Sequence, residues 1–223
     1  MTEHASIDKI EQGSEEWHAL RRGKVTSSRI ADLMRKGRGG TESTSYQRYL
    51  ADIIVERMTD LSAARSFKTA AMERGNIVEP RAALAYEFYR GVDTATVSFV
   101  DHPTIPNAGA SPDRLVGNDG LAEFKCPETH THLQTILSKT IDPNYITQMQ
   151  WQLACTKRLW CDFVSFDDRL PPPLDIHIVR IARNPATIVA LETAARDFLA
   201  DVDKTIDQLT TIKGAKCQTT AAK

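Results

Sequence analysis

No stretch of the 223 residues stays apolar for the roughly 18–20 positions that a membrane-spanning helix needs. The sequence is therefore expected to have no membrane partner. The start, Met1-Thr2-Glu3-His4, lacks the basic-then-apolar pattern of a secretory signal, which points to a cytoplasmic location. Cysteine is scarce. Cys126, Cys155, Cys161 and Cys217 show no C-x₂-C spacing, so a structural zinc site is excluded and reduced thiols are expected. There is also no surplus of basic charge: 28 Lys and Arg against 29 Asp and Glu leave a net charge of −1, which does not advertise nucleic-acid binding. Internal repeats are absent. The apolar and charged fractions are those of an ordinary globular chain, long enough for a substantial core. One domain over residues 1–212 is expected, followed by a small, polar tail at 213–223 that should fray or be disordered.

The informative segment is Ser111-Pro112-Asp113, followed by Gly117-Asn118-Asp119-Gly120 and then Glu123-Phe124-Lys125. It reads as two strands, Ala108–Val116 and Leu121–Pro127, folded back at a turn whose Asn118-Asp119-Gly120 supplies positive-φ residues. That register places Asp113 opposite Glu123. Alternation along the second strand puts Glu123 and Lys125 on one face. Two carboxylates so close repel each other, and a divalent cation relieves the repulsion. Hard oxygen ligands suit Mg²⁺ or Mn²⁺, and the chemistry implied is metal-assisted phosphodiester hydrolysis. The bland alternatives are an exposed hairpin with ordinary charges and a simple Lys125–Glu123 salt bridge.

Around this segment the chain reads as helices and strands in sequence. Ser14 caps a helix carrying Trp17, Leu20 and Arg21, with Glu15 and Glu16 in its first turn. Thr26 or Ser27 is expected to cap a second, with Ile30, Leu33 and Met34 on one face. The polar, glycine-rich stretch 35–44 reads as a loop. Tyr46, Tyr49, Leu50, Ile53, Ile54, Arg57 and Met58 follow an amphipathic helical rhythm. A helix from near Asn76 to Arg90 would carry Glu79, with Pro80 tolerated in its first turn and Gly91 closing it. Strands are expected over Val92–Val100, Leu159–Phe166 and Leu174–Ala182. Asp142-Pro143 opens a helix to about Thr156, and Asn184-Pro185 a long one toward Leu209. The predicted class is α/β, a mixed central sheet flanked by helices. His130 and His132 are read as surface residues or DNA contacts, and Trp151 and Trp160 as core.

Within Arg21–Arg38 seven basic residues (Arg21, Arg22, Lys24, Arg29, Arg35, Lys36, Arg38) face one acid, Asp32. Such a run suits phosphate neutralisation, although charge runs are commonly just solvated faces.

The ordered set Gln12-Gly13…Trp17-His18-Ala19-Leu20-Arg21, Val25-Thr26-Ser27-Ser28, Gly75…Glu79-Pro80, Ser111-Pro112-Asp113, Glu123-Phe124-Lys125-Cys126-Pro127 and Tyr145…Gln148-Met149-Gln150 resembles the phage lambda exonuclease family. That family is the viral-recombinase branch of the PD-(D/E)xK nucleases. The resemblance spans about residues 10–170 and implies the restriction-endonuclease-like core. It implies a metal held by Asp113, Glu123 and the Phe124 carbonyl, with Lys125 orienting or deprotonating the attacking water or stabilising charge on the phosphorane. Glu79 would help hold a water near the metal. Arg21, Ser28 and Ser111 match a 5′-phosphate pocket, for which a guanidinium and hydroxyls are suited. Tyr145 and Gln148 would contact the strand being cut, unless they simply pack. Met72 matches an apolar wedge between DNA strands, though a lone methionine also fits a core. Arg22 and Lys24 are expected DNA contacts. Some relatives in the wider superfamily carry an iron–sulfur cluster, but the cysteine positions here exclude one.

The implied activity is a Mg²⁺-dependent, processive 5′-to-3′ exonuclease acting on double-stranded DNA ends. It would leave 5′-mononucleotides and a 3′ overhang for phage or prophage recombination in a bacterial host. The implied partners are a single-strand annealing recombination protein and two further copies of the chain in a toroidal homotrimer. The alternatives are an endonuclease, a single-strand or flap nuclease, or a non-catalytic DNA-end-binding module.

Overall fold

The computed structural model describes residues 10–61 and 70–213, apart from the side chains of residues 70–72 and 213. The expectations for the 213–223 tail from residue 214 onward, and for the side chain of Met72, lie outside what is described. Among the described residues, seven α-helices and eight strands follow in order: α1 (Glu15–Arg21), β1 (Val25–Thr26), α2 (Ile30–Met34), α3 (Thr44–Thr59), α4 (Ala70–Arg90), β2 (Thr94–Ala95), β3 (Val100–Asp101), β4 (Ala108–Ala110), β5 (Arg114–Val116), β6 (Gly120–Lys125), α5 (Thr129–Ser138), α6 (Pro143–Thr156), β7 (Trp160–Phe166), β8 (Ile176–Ala182) and α7 (Pro185–Lys213). No helix among the described residues is long and apolar enough to cross a membrane.

The main sheet has the order β2-β5-β6-β7-β8. Its β6–β7 pair is parallel and the other pairs are antiparallel. A parallel pair needs a crossover, which α5 and α6 supply. The alternation of β6 sorts its side chains by face. Ala122 and Phe124 pack with Val78, Ala82 and Tyr86 of α4. Leu121 packs on the opposite face with Met149 and Leu153 of α6. Glu123 and Lys125, in phase with Leu121, therefore face α6. A third cluster joins Val25, Ala108 and Ala110 of the small β1-β4-β3 sheet to α2, α3, α6 and α7. The mixed sheet flanked by helices is the expected fold.

Several local expectations are corrected. The strand expected over Ala108–Val116 is two strands, because the chain leaves the small sheet at β4 and enters the main one at β5. Ser111-Pro112-Asp113 is the irregular joint between them. The turn's positive-φ residue is Gly117 (φ 52°). Gly120 is instead the first residue of β6, where a Cβ would stand 2.1 Å from the Trp160 indole. Trp160 is accordingly only partly buried, with the Arg180 guanidinium 3.4 Å from its ring centroid. The strand expected over 92–100 is likewise two short ones, β2 and β3, in different sheets.

Helix α4 begins before Asn76, so Pro80 lies in its interior rather than its first turn. The ring removes the donor for the Asn76 carbonyl. Neither Thr26 nor Ser27 caps α2: Thr26 belongs to β1, Arg29 stands at the cap position, and Met34 is exposed. The 35–44 stretch holds a short 3₁₀ turn at Arg38–Gly40 and an isolated Lys36–Glu42 bridge. His132 is fully buried, pinned between the Ser165 hydroxyl (2.7 Å) and the Leu174 carbonyl (2.9 Å). It is a structural anchor for α5, whereas His130 is exposed. The Ser14 cap (3.1 Å to the Trp17 N–H) and the Asp142-Pro143 opening of α6 (2.8 Å to the Asn144 N–H) are as the residues indicate.

Candidate active site

β5 stops at Arg114, paired with Ala122, which leaves the edge of β6 open beyond that point. Asp113, one residue outside β5, fills the gap with its side chain. Its Oδ2 accepts the Phe124 N–H at 2.7 Å, where a strand carbonyl would otherwise sit. One face over, Lys125 Nζ donates to Glu123 Oε1 at 2.6 Å. The structure thus brings Asp113, Glu123 and Lys125 together at one end of β6. The Lys125–Glu123 bridge is real, and it forms part of the cluster.

Glu123 is 1 % exposed, and a buried carboxylate requires donors. Besides Lys125 it receives Gln148 Nε2 on Oε1 at 2.5 Å and Gln152 Nε2 on Oε2 at 2.6 Å. Both amides come from α6, one turn apart. Gln152 was not foreseen, although the i, i+4 pair of glutamines among the apolar residues of α6 was its sequence signal. Tyr145, a turn earlier, stacks on Phe163 and lies 4.9 Å beneath Lys125 Nζ.

From the other face of the sheet, α4 contributes Glu79. Arg114, also not foreseen, stands between helix and strand. Its Nη1 donates to the Asp113 carbonyl at 2.6 Å and lies 3.6 Å from Glu79 Oε1. A cavity of about 370 Å³ opens above this group, lined by Gly75, Asn76, Glu79, Asp113, Phe124, Lys125, Cys126, Pro127 and Tyr145.

The electrostatics follow from the crowding of carboxylates. Burial first, then Glu123 and Glu79, push the Asp113 carboxyl well above its ordinary value. Burial also raises Glu79, with Glu123 adding to it and Arg114 and Lys125 opposing. Burial works against the Lys125 ammonium, but Glu123 and Asp113 outweigh it and raise its pKa. This excess of negative charge on hard oxygen atoms fits a divalent cation. Asp113 and Glu123 bring carboxylate oxygens to the cluster, and Phe124, whose N–H Asp113 accepts, lines the cavity above it. Among the described residues, no group of three or more His, Cys, Asp or Glu is arranged as a ligand set. Glu79 is nonetheless close enough to interact electrostatically with both Asp113 and Glu123.

Arg21, Ser28 and Ser111 also converge. Arg21 Nη1 donates to Ser111 Oγ at 3.1 Å, and Nη2 to Ser28 Oγ at 3.4 Å. The guanidinium lies 4.1 Å from the Trp17 ring centroid, and the Trp17 indole Nε1–H donates to Ser111 Oγ at 3.0 Å. Burial lowers Arg21 to about 10, and among the described residues it makes no ion pair. A desolvated guanidinium surrounded by hydroxyls is suited to an anion. The neighbouring basic residues are partnered: Arg22 with Asp60 (2.9 Å), Lys24 with Asp101 (2.7 Å) and Arg29 with Asp32 (2.7 Å). Asp60 and Asp101 are largely exposed, so such pairs are weak.

Comparison with known proteins is consistent with this geometry. Residues 16–158 match the model of the YqaJ-like viral recombinase domain. The structure is similar to that of an alkaline exonuclease (LHK-Exo) from Laribacter hongkongensis. The TM-score is 0.83 and the identity 45 %, over 90 % of this chain and 98 % of that one. The same enzyme in complex with dAMP matches equally well. A phage-related exonuclease from Haemophilus somnus 129PT shares the fold at TM-score 0.67 and 16 % identity, over 86 % of this chain and 99 % of the other. No curated protein sequence matches the chain.

Proposed function

The chain belongs to the YqaJ-like viral recombinase family, and from that premise we propose that it resects linear duplex DNA from the 5′ end. It hydrolyses one strand to 5′-mononucleotides and leaves a 3′ single-stranded overhang. The observation that carries this reading is the joint Ser111-Pro112-Asp113. Ser111 belongs to the Arg21 anion pocket and Asp113 to the carboxylate cluster. Only Pro112 separates them, so their Cα atoms lie at most about 7 Å apart. A terminal 5′-phosphate at Arg21 therefore puts the next phosphate of the strand at Asp113. The unit removed is one nucleotide, and the 45 % identical relative is known in complex with dAMP.

Magnesium, for which manganese can substitute, is the cofactor this reading assigns. Held by Asp113, Glu123 and the Phe124 carbonyl, it would polarise the scissile phosphate and acidify the attacking water. Gln148 and Gln152 keep the Glu123 carboxylate oriented. Tyr145 forms the wall against which Lys125 rests. Lys125, kept protonated by the two carboxylates, stabilises negative charge as it builds on the phosphate. Glu79 orients water at the rim, and Arg22 and Lys24 take phosphates of the entering duplex. Met72 is assigned to the separating strands.

The same reading includes a toroidal homotrimer, processive digestion, action in the bacterial cytoplasm, and a single-strand annealing recombination protein that receives the overhang. Family likeness supports these. The reading also takes residues 1–212 as a single nuclease domain.

The test is digestion of linear duplex labelled separately at each end, with phosphate or hydroxyl at the 5′ terminus, in Mg²⁺. Loss of the 5′ label as mononucleotide, favoured by the phosphate and abolished by EDTA, is expected. Cutting of closed circles would overturn end dependence in favour of an endonuclease. Binding of ends without turnover would reduce the chain to an end-binding module.

A further inference from the structure

The two hydroxyls beside Arg21 are held differently. A serine hydroxyl has two acceptor lone pairs and one proton to give. Ser111 Oγ accepts Arg21 Nη1 at 3.1 Å and the Trp17 indole Nε1–H at 3.0 Å, and Ser111 is only 7 % exposed. Both of its lone pairs are thus filled, and among the described residues no acceptor takes its proton. Ser28 is freer: it is exposed, and its Oγ lies 3.5 Å from Thr26 Oγ1, with either oxygen able to donate. The Trp17 N–H has a second acceptor, the carbonyl of the buried Ser98, also at 3.0 Å. A buried carbonyl needs a donor. Without the indole N–H, this one would compete for the Ser111 proton.

We infer that Trp17 is a positioning residue that makes Ser111 an obligate donor. Its indole N–H fills one Ser111 lone pair and occupies the Ser98 carbonyl, which reserves the Ser111 proton for an oxygen of the terminal phosphate. This rests on the 5′-phosphate reading above and adds to it a determinant of end preference. A hydroxyl fixed as donor bonds an anionic oxygen about twice as strongly as a neutral one. A hydroxyl free to turn loses that discrimination, because it also accepts a bond from a neutral 5′-hydroxyl. The Trp17 ring carries the Arg21 guanidinium as well, so one side chain fixes both the cation and the neutral donor.

The test is binding of the full chain, in EDTA, to duplexes ending in 5′-phosphate or 5′-hydroxyl, read by fluorescence anisotropy without turnover. The wild type should favour the phosphate by about a hundredfold. Trp17→Phe keeps an aromatic face under Arg21 but deletes the N–H, and should lower that ratio about tenfold. Ser111→Ala should lower it about as much, and the double variant no further than either alone. An unchanged ratio in folded Trp17→Phe, or a double variant in which the two losses multiply, would overturn the inference. If Trp17→Phe does not fold, β-(3-benzothienyl)alanine at position 17, which keeps the ring shape and lacks the N–H, decides in the same way. A wild type that binds both ends equally would refute the 5′-phosphate reading itself, and this inference with it.

Discussion

At the Trp160 end of the main sheet, the fully buried Asp162 receives Arg180 through bonds of 2.8 and 3.0 Å. The Tyr86 hydroxyl adds a bond of 2.9 Å, and Arg90 lies at 3.4 Å. At the Lys125 end, Glu123 is nearly as buried, yet it has one ammonium and two neutral amides. Two further carboxylates crowd beside it. The first cluster is satisfied and holds strands β7 and β8 to α4. The second is under-neutralised and keeps a demand for positive charge that the protein does not meet itself. Cavity size points the wrong way: about 690 Å³ near Trp160 and Arg180, against about 370 Å³ at the cluster. Unbalanced charge, more than volume, distinguishes a site from a hollow.

The contrast can be broken at either end. The largest effect is expected from Asp113→Asn or Glu123→Gln, which should lower nuclease turnover by about a thousandfold or more. Circular dichroism should remain native, because each change relieves repulsion. Normal turnover in either variant would discard the cluster as the catalytic centre. Asp162→Asn should do the reverse. It leaves Arg180 and Arg90 without their counter-charge, costing about 3 kcal/mol in urea unfolding, while turnover per folded molecule stays close to wild type. Arg21→Ala removes a charge-assisted bond of roughly 1.5–3 kcal/mol. It should cut the preference for 5′-phosphorylated over 5′-hydroxyl ends by about ten- to a hundredfold, measured by competition between labelled duplexes. Gln152→Leu should slow turnover by about tenfold and raise the metal concentration needed for half activity.

The smallest effect concerns pH, and its sign differs between two acids. The Asp113 carboxyl is raised above its ordinary 3.8 in the folded state. The folded protein therefore holds a proton that the unfolded chain releases, and in EDTA stability should fall as pH rises from 3.8 through that raised value. Asp113→Asn should abolish this loss. Asp167 follows the last residue of β7, at the Lys125 end of the sheet. Burial opposes its ionisation, but bonds from Arg169 and Thr129 outweigh it and hold its carboxyl at about 2. Its contribution is present above 3.8 and is lost as pH falls from there toward about 2. Thermal melts in EDTA across both windows separate the two.

Much of the site was legible in the residues. Alternation alone put Glu123 and Lys125 on one face, and the short turn put Asp113 opposite Glu123. Both follow from local strand geometry. The helices with clear caps and periodicity, α1, α3, α6 and α7, were equally readable. The misreadings share a different cause. Residues 108–116 form an apolar, β-compatible run, and nothing local says that the chain changes sheet at Pro112. Pro80 suggests a helix start, but α4 continues through it because its apolar face packs on β6 and β7. His132 resembles a surface residue until Ser165 and Leu174 close over it.

By itself the sequence determined the face shared by Glu123 and Lys125, the periodic helix α3, and the caps of α1 and α6. These depend on periodicity and side-chain type over a few neighbours. Only the tertiary structure decided that Arg21, Ser28 and Ser111 form one anion pocket. It alone placed Gln152 against Glu123 and brought Arg114 of β5 beside Glu79 of α4. Those contacts join elements from distant parts of the chain and arise when both faces of the sheet are covered, burying the charges together.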